Sequence, residues 1–237
     1  MDDISVFSEV FSDFDDNFLK VFLEEIVPLG KVIYSYDGNA PAAQGFVFPI
    51  FRNVGGEIYK GLYLYGLSTL PKYRKQGRMS EILSKIDELA EKEAYDFTFL
   101  ATDNCEAKRL YTKNGYEKQE ITPKCRGFLK NNTSFEKCSV KEYIENTSPS
   151  IYPQKEMRKS VIKALSGFSY PAKAKGGYFL VSKEGSEIID YFPKANVESE
   201  SEFELLKTTF LEDEYDYFLK KINKKMPDIK EIDYILD

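Results

Sequence analysis

The 237-residue chain is 42% hydrophobic and 15% aromatic with a formal net charge of -6, the make-up of a globular protein long enough for one domain and a smaller second lobe. It has no histidine, which excludes a histidine triad, a histidine metal ligand and a histidine general base. Cys105, Cys125 and Cys138 are odd in number and lack paired metal spacing, so neither a disulfide framework nor a metal site is expected, and the acidic balance argues against a nucleic-acid partner.

No apolar run approaches the roughly 18 residues of a membrane span, and the acidic start MDDISVFSEVFSDFDD lacks the basic and apolar stretches of a secretory signal. A cytoplasmic protein with no membrane partner is expected. Residues 3–12 and 15–27 read as helices, the second setting Phe18, Val21, Phe22 and Ile26 on one face. KVIYSYDG, AAQGFVFPIF and EIYKGLYLYGLST follow as three strands of an antiparallel meander, rich in Val, Ile, Tyr and Phe and separated by Gly, Asn and Pro turns. After Gly77 the period changes, and Met79, Ile82, Leu83, Ile86, Leu89 and Ala90 recur as a helical stripe to about residue 93. DFTFLATD is the next strand, EAKRLYTKNG a short helix ending at Gly115, and Tyr116 opens a further strand. This βαβα order places the strand ending near Leu70 beside the one ending near Asp103.

Polar punctuation at 131–134 and 146–150, around a weak helix, sets a boundary between residues 1–130 and a smaller α+β lobe over 131–237. Within that lobe KEMRKSVIKAL reads as a helix, GGYFLVSKEGSEIIDYF as a hairpin turning at Lys183 to Gly185, SEFELLKTTFLEDEYDYFLKKI as mostly helical, and IKEIDYILD as a closing strand.

Chemistry concentrates in LPKYRKQGRM, where Lys72, Arg74, Lys75 and Arg78 crowd around Gly77 between a strand and a helix. The first amides of a helix lack partners, the helix dipole is positive there, and glycine allows the positive φ that converges successive N–H groups on one anion. A solvated basic turn capping the helix is the alternative. Neither G-x-x-x-x-G-K-[ST] nor G-x-G-x-x-G occurs around Gly77, so a P-loop and a dinucleotide fingerprint are ruled out.

The pattern P-x-x-R-x-x-G, at Pro71, Arg74 and Gly77, resembles the acetyl-CoA pyrophosphate loop of the GNAT acetyltransferase superfamily. NCEAKRLYTKNGY matches that superfamily's N-x-x-A-x-x-L-Y-x-x-x-G-[FY], at Asn104, Ala107, Leu110, Tyr111, Gly115 and Tyr116. The resemblance covers roughly residues 1–130 and implies the GNAT acyl-CoA N-acyltransferase fold, an α/β (α+β) mixed central sheet flanked by helices. Met79 stands where the superfamily loop usually carries a second small residue, which is similar to the enhanced-intracellular-survival branch, whose catalytic lobe is followed by a degenerate GNAT-like lobe.

The resemblance implies acetyl-CoA as cofactor and an amine as acceptor. The backbone of Leu67, Ser68 and Thr69 would pair with the pantetheine arm, Lys75, Gln76, Gly77, Arg78, Met79 and Ser80 would surround the pyrophosphate, and Arg74 and Arg78 would add charge. Aminolysis of a thioester needs a neutral amine, stabilisation of an oxyanion and a proton for the departing thiolate. Tyr111 is the candidate proton donor, since a phenol with pKa near about 10 stays protonated at neutral pH; the alternative is a core tyrosine on a helical stripe. Asn104 would orient the cofactor, or simply cap its helix. Glu24 and Glu25 are candidate bases on the second helix, and in the survival branch the chain's own terminal carboxylate reaches the site, which adds Asp237. Asp2, Asp3, Glu9, Asp13, Asp15, Asp16, Glu24 and Glu25 against Lys20 favour a cationic acceptor such as a polyamine, an aminoglycoside or a basic peptide, or else serve solubility. The competing function is a non-catalytic acyl-CoA-binding module on the same fold.

Overall fold

A computed structural model describes residues 4–12, 16–54, 57–119, 127–129, 135–147, 159–160, 162–163, 165–174, 177–183, 187–193, 205–207 and 216–228. The chain opens with α1 (Ser5–Val10) and α2 (Asp16–Val21), the latter continuing as a π-helical turn over Phe22–Ile26 and a 3-10 turn over Val27–Leu29. Phe7, Phe22 and Ile26 are fully buried, as the helical spacing requires. The meander is β1 (Lys31–Asp37), β2 (Ala40–Val54) and β3 (Glu57–Thr69); α3 (Arg78–Lys92) then leads to β4 (Phe97–Thr102), α4 (Cys105–Lys113) and β5 (Glu117–Gln119). The remaining strands are β6 (Gly127–Leu129), β7 (Glu136–Lys137), β8 (Ser169–Ala174), β9 (Gly177–Ser182), β10 (Glu187–Pro193), β11 (Leu205–Lys207) and β12 (Asp216–Lys221), with α5 over Val140–Thr147.

The first sheet has the order β1-β2-β3-β4-β12-β5. Among the described residues of this sheet only β3 and β4 pair in parallel, which a helical crossover such as α3 makes possible, so the sheet is mixed and flanked by helices. Side chains alternate along β2. Ala43 and Val47 join Leu62, Leu64, Leu100 and Phe218 in a core covered by Ile82, Leu83 and Ile86 of α3 and Tyr111 of α4. The opposite face carries Phe46, edge-on to Phe7 and Phe22 at 5.2 and 5.1 Å, with Phe22 also 5.5 Å from Tyr65. Three side chains of α3 fasten it to β1: Arg78, Glu81, which accepts from Ser35 Oγ at 2.6 Å, and Lys85, which donates to Tyr34 O at 2.7 Å.

Where 201–222 is expected to be mostly helical, its described residues are not helical. Leu205–Lys207 and Asp216–Lys221 are strands, and β12 inserts between β4 and β5. Tyr217 stacks on Phe99 at 5.9 Å on one face while Phe218 lies 6.0 Å from Tyr111 on the other. A strand buried on both faces shows a continuous apolar run with no alternation, and such a run has no period to distinguish it from a helix. The expected KEMRKSVIKAL helix is described only at 159–160, 162–163 and 165, and the IKEIDYILD strand lies outside the described residues.

The chain divides into two compact units, Met1–Ile121 with Tyr215–Lys230, and Thr122–Glu214 with Glu231–Asp237. The second holds a sheet of order β11-β6-β10-β9-β8-β7, in which the expected β9–β10 hairpin is antiparallel. One of its faces packs Tyr143, Ile144, Ile162 and Leu180 together; the other groups Ala172, Phe179 and Val181 with Phe135. Among the described residues, no helix is long and apolar enough to cross a membrane.

Because Phe218 fills the space between β12 and α4, Phe218→Ala should lower the unfolding free energy by about 3–5 kcal/mol. Urea denaturation reads this directly; a loss below about 1 kcal/mol would mean that β12 does not belong to this core.

Candidate active site

The site begins where β3 and β4 separate. Gly61, Leu62 and Tyr63 face Phe97, Thr98 and Phe99, and the parallel pairing ends there. Beyond it β4 continues beside β12 as far as Thr102, and β3 continues beside β2 as far as Thr69. Among the described residues, no strand fills the gap between the two diverging edges. The closed end is tied down by Asp96, whose carboxylate accepts from Lys60 N and Asn223 Nδ2, both at 2.8 Å, and whose carbonyl accepts from the amides of Ile222 and Asn223, also at 2.8 Å.

A bulge drives the divergence. Between Gln44↔Ser68 and Phe46↔Tyr65, β2 spends the single residue Gly45 while β3 spends Gly66 and Leu67. An extra residue bends a strand and increases its twist. Gly66 is required twice over: its φ is +58°, and a Cβ there would come within 2.7 Å of the Phe7 ring.

At the mouth of the gap β3 leads into a 3-10 turn, Pro71–Tyr73, and then into α3. Gly77 sits at the N-cap with φ +80° and ψ 0°, and no side chain caps the helix. A Cβ at Gly77 would meet nothing, so its backbone dihedral alone calls for glycine. Lys75 also has positive φ, +61°. The first amide to pair back along the helix is that of Glu81, 3.0 Å from Gly77 O, which leaves the N–H groups of Arg78, Met79 and Ser80 pointing out of the helix start. This is an anion-binding geometry.

The family model for an acetyltransferase (GNAT) domain matches residues 2–118, the segment that carries the diverging strands and the glycine turn. This part of the chain belongs to the GNAT acetyltransferase family. Similar solved structures share the fold: a GCN5-related N-acetyltransferase from Kribbella flavida (TM-score 0.64, 11% identity, 93% of this chain and 68% of that one), a conserved protein from Enterococcus faecalis (0.62, 14%, 81% and 55%), and Eis1 from Mycobacterium abscessus (0.58, 10%, 81% and 55%). The chain thus spans little more than half the length of the Enterococcus and Mycobacterium proteins. No curated protein matches the sequence.

Within the GNAT domain, Leu67, Ser68 and Thr69 lie on the diverging stretch of β3, and Arg74 to Ser80 form the adjoining turn and helix start. The cations there have distinct partners. Arg78 donates from Nη1 to Tyr36 O and from Nη2 to Asp37 Oδ1, both at 2.7 Å, so its guanidinium fastens α3 to β1 while its amide opens the helix. Arg74 Nε donates to Thr69 O at 3.2 Å, Gln76 Nε2 to Lys72 O at 2.9 Å, and the Lys72 ammonium lies 4.8 Å from the centre of the Tyr73 ring. Met79, half-buried, packs against the core that holds Tyr111, as Leu67 does.

Tyr111 is buried among Tyr116, Phe218 and Leu100, and burial holds its phenol well above the ordinary value; Tyr116, which accepts from Thr98 Oγ1 at 3.1 Å, is raised for the same reason. Asn104 caps α4, its Oδ1 accepting from Glu106 N and Ala107 N at 2.9 and 3.0 Å. Glu24, exposed, and Glu25, half-buried, ride on the π-helical turn whose Phe22 packs on the sheet face opposite Tyr111. Asp237, with Asp2, Asp3, Asp13 and Asp15, lies outside the described residues.

Sequence reasoning missed Gln44. It is fully buried on β2 directly opposite Ser68, itself 3% exposed, and among the described residues neither Gln44 Oε1, Gln44 Nε2 nor Ser68 Oγ has a hydrogen-bond partner. Leaving such groups unpaired costs about 1–3 kcal/mol each. The signal was a lone amide inside the apolar strand AAQGFVFPIF.

Tyr111 and Tyr116 also set an alkaline limit on stability. Their folded-state phenols are raised above the unfolded value of about 10, so their contribution is complete below pH 10 and is lost as pH rises through the folded values. Absorbance titration at alkaline pH should show these two phenols ionising only with unfolding, and Tyr111→Phe should remove one of them from that cooperative step. Smooth titration of both near pH 10, with the fold intact, would contradict the burial.

Proposed function

We infer that the GNAT domain binds acetyl-CoA and transfers its acetyl group directly to a primary amine, with no acyl-enzyme stage. The observation that carries this reading is the juxtaposition of an open β3 edge with an uncapped, glycine-started helix at its mouth. An extended pantetheine arm is a strand-like partner for the backbone of Leu67, Ser68 and Thr69, and a pyrophosphate suits the amides from Gln76 to Ser80. Lys75 and Arg74 add charge at the exposed turn. Acetyl-CoA, when bound, supplies an activated thioester; the chain supplies position and protons.

A β3 amide donates toward the developing oxyanion. Tyr111, buried with Tyr116 and Phe218, is the group proposed to hand its phenolic proton to the departing thiolate. Glu24 or Glu25, directly or through water, takes the proton from the amine, and a cationic acceptor fits the acidic N-terminal segment. The likeness to Eis1 in fold, together with Met79, supports placement beside the survival branch, with the second unit as its degenerate companion lobe. Engagement of Arg78 by Asp37 and of Asn104 by α4 favours a second reading, an acyl-CoA-binding module without turnover.

Titration calorimetry with acetyl-CoA should show saturable binding at or below millimolar concentration, and thiol release should follow on addition of an amine. Tyr111→Phe should lower kcat by about 100-fold or more while changing acetyl-CoA affinity by less than about threefold. Binding without thiol release across polyamines, aminoglycosides and basic peptides would favour the module; absence of binding would end both readings.

A further inference from the structure

Gln44 and Ser68 bring three buried, unpartnered polar atoms together among the described residues of the first unit. The Cα atoms of these residues are direct cross-strand partners, so their side chains project from the same face of the sheet. That face is fixed by alternation along β2. Ala43 and Val47 pack toward α3, and a Cβ at Gly45 would strike Leu67 and touch Ile82 on that side, so Gln44 shares the opposite side with Phe46. This is the face on which Phe7 and Phe22 pack, and Glu24 and Glu25 lie on the same π-helical turn as Phe22. Ser68 is also one of the residues whose backbone borders the gap between β3 and β4.

A glutamine in this position has no packing reason to be polar. Met or Leu would fill the same volume without stranding a donor and an acceptor, and Ala would serve in place of Ser68. The unpaired atoms supply the reason. Gln44 offers one carbonyl acceptor and an NH₂ donor, Ser68 offers a hydroxyl that both donates and accepts, and neither carries charge. A neutral amine has the matching complement, N–H donors and one lone pair. An ammonium group brought against the same uncharged, aromatic-walled surface would lose its hydration for two neutral dipoles.

We propose that Gln44 and Ser68 are the hydrogen-bonding floor of the acceptor pocket and hold the attacking amino group in its neutral form beside the β3 edge. Gln44 Oε1 and Ser68 Oγ accept the amine N–H bonds, leaving the nitrogen lone pair directed at the thioester carbon. The proton lost beforehand goes to a carboxylate or water outside the floor. The inference rests on the acetyltransferase reading and refines it, because the acidic N-terminal segment attracts the cationic body of the acceptor while this pair admits only the uncharged nitrogen. Both polar groups are closed off from solvent, so the acceptor reaches them only when the residues above them move aside.

The test uses Gln44→Met and Ser68→Ala in the full chain, with spermidine, kanamycin and a lysine-containing peptide as probes. Thermal midpoints without ligand should be unchanged or higher, since unpaired polar atoms are removed, and acetyl-CoA affinity should be unchanged in Gln44→Met. For whichever probe the wild type acetylates best, KM should rise at least tenfold in each variant, by more than kcat falls. A clear drop in both thermal midpoints with wild-type KM would make the pair structural and overturn the proposal. Transfer by both variants at the wild-type rate would overturn it while leaving the acetyltransferase reading intact; a wild type that acetylates none of the probes would overturn both.

Discussion

Two parallel strands that hydrogen-bond and then part are the constraint on which the first unit is built. β3 and β4 share a ladder only from Gly61–Phe97 to Tyr63–Phe99. A sheet opened in its middle leaves main-chain groups facing a gap, a conformation that ordinary strands avoid by pairing. It persists here because each arm is held from its other side, β3 by the long β2 ladder and β4 by β12. Asp96 clamps the closed end, and the Gly66–Leu67 bulge bends the open one. Function, on the reading given above, is the use of that gap by an extended ligand that completes the sheet.

The flanking elements answer to the same geometry. α3 starts where β3 ends, so its uncapped amides fall at the mouth of the gap. Arg78, Glu81 and Lys85 hold the helix against β1, and hydrogen bonds from Lys85 and then Ser35 keep the Glu81 carboxyl below the usual carboxylate range. On the far side of α3, Lys220 of β12 donates to Asp87 Oδ2 at 2.6 Å and to Asn114 O at 2.9 Å, joining α3 and the end of α4 to the inserted strand. Apart from Arg78, which both opens the helix and fastens it, the residues that anchor this helix start need never touch a cofactor.

Much of this was legible in the letters, and the exceptions have physical causes. The meander, α3, β4 and α4 were readable because their apolar residues alternate or recur at helical spacing, with glycine marking the turns. β12 was not, since a strand covered on both faces presents Tyr217, Phe218 and Leu219 in succession and its partners β4 and β5 lie about a hundred residues earlier in sequence. The cluster of cations at residues 72–78 read as a single charge site; only the fold shows that Arg78 spends its guanidinium on Asp37 and Tyr36 while its amide opens the helix. Gln44 showed in the letters only as a lone amide in an apolar strand; its burial away from any partner among the described residues is a property of the surroundings, and no spacing rule reports it.

The most direct test of the account is amide hydrogen exchange with and without acetyl-CoA. If the gap is completed by the cofactor, protection should rise in two separated segments, the β3 edge around Leu67–Thr69 and the helix start from Gln76 to Ser80, with little change along β1. Protection confined to other parts of the chain, or none at saturating cofactor, would contradict the claim that the diverging strands and the glycine turn form one binding site.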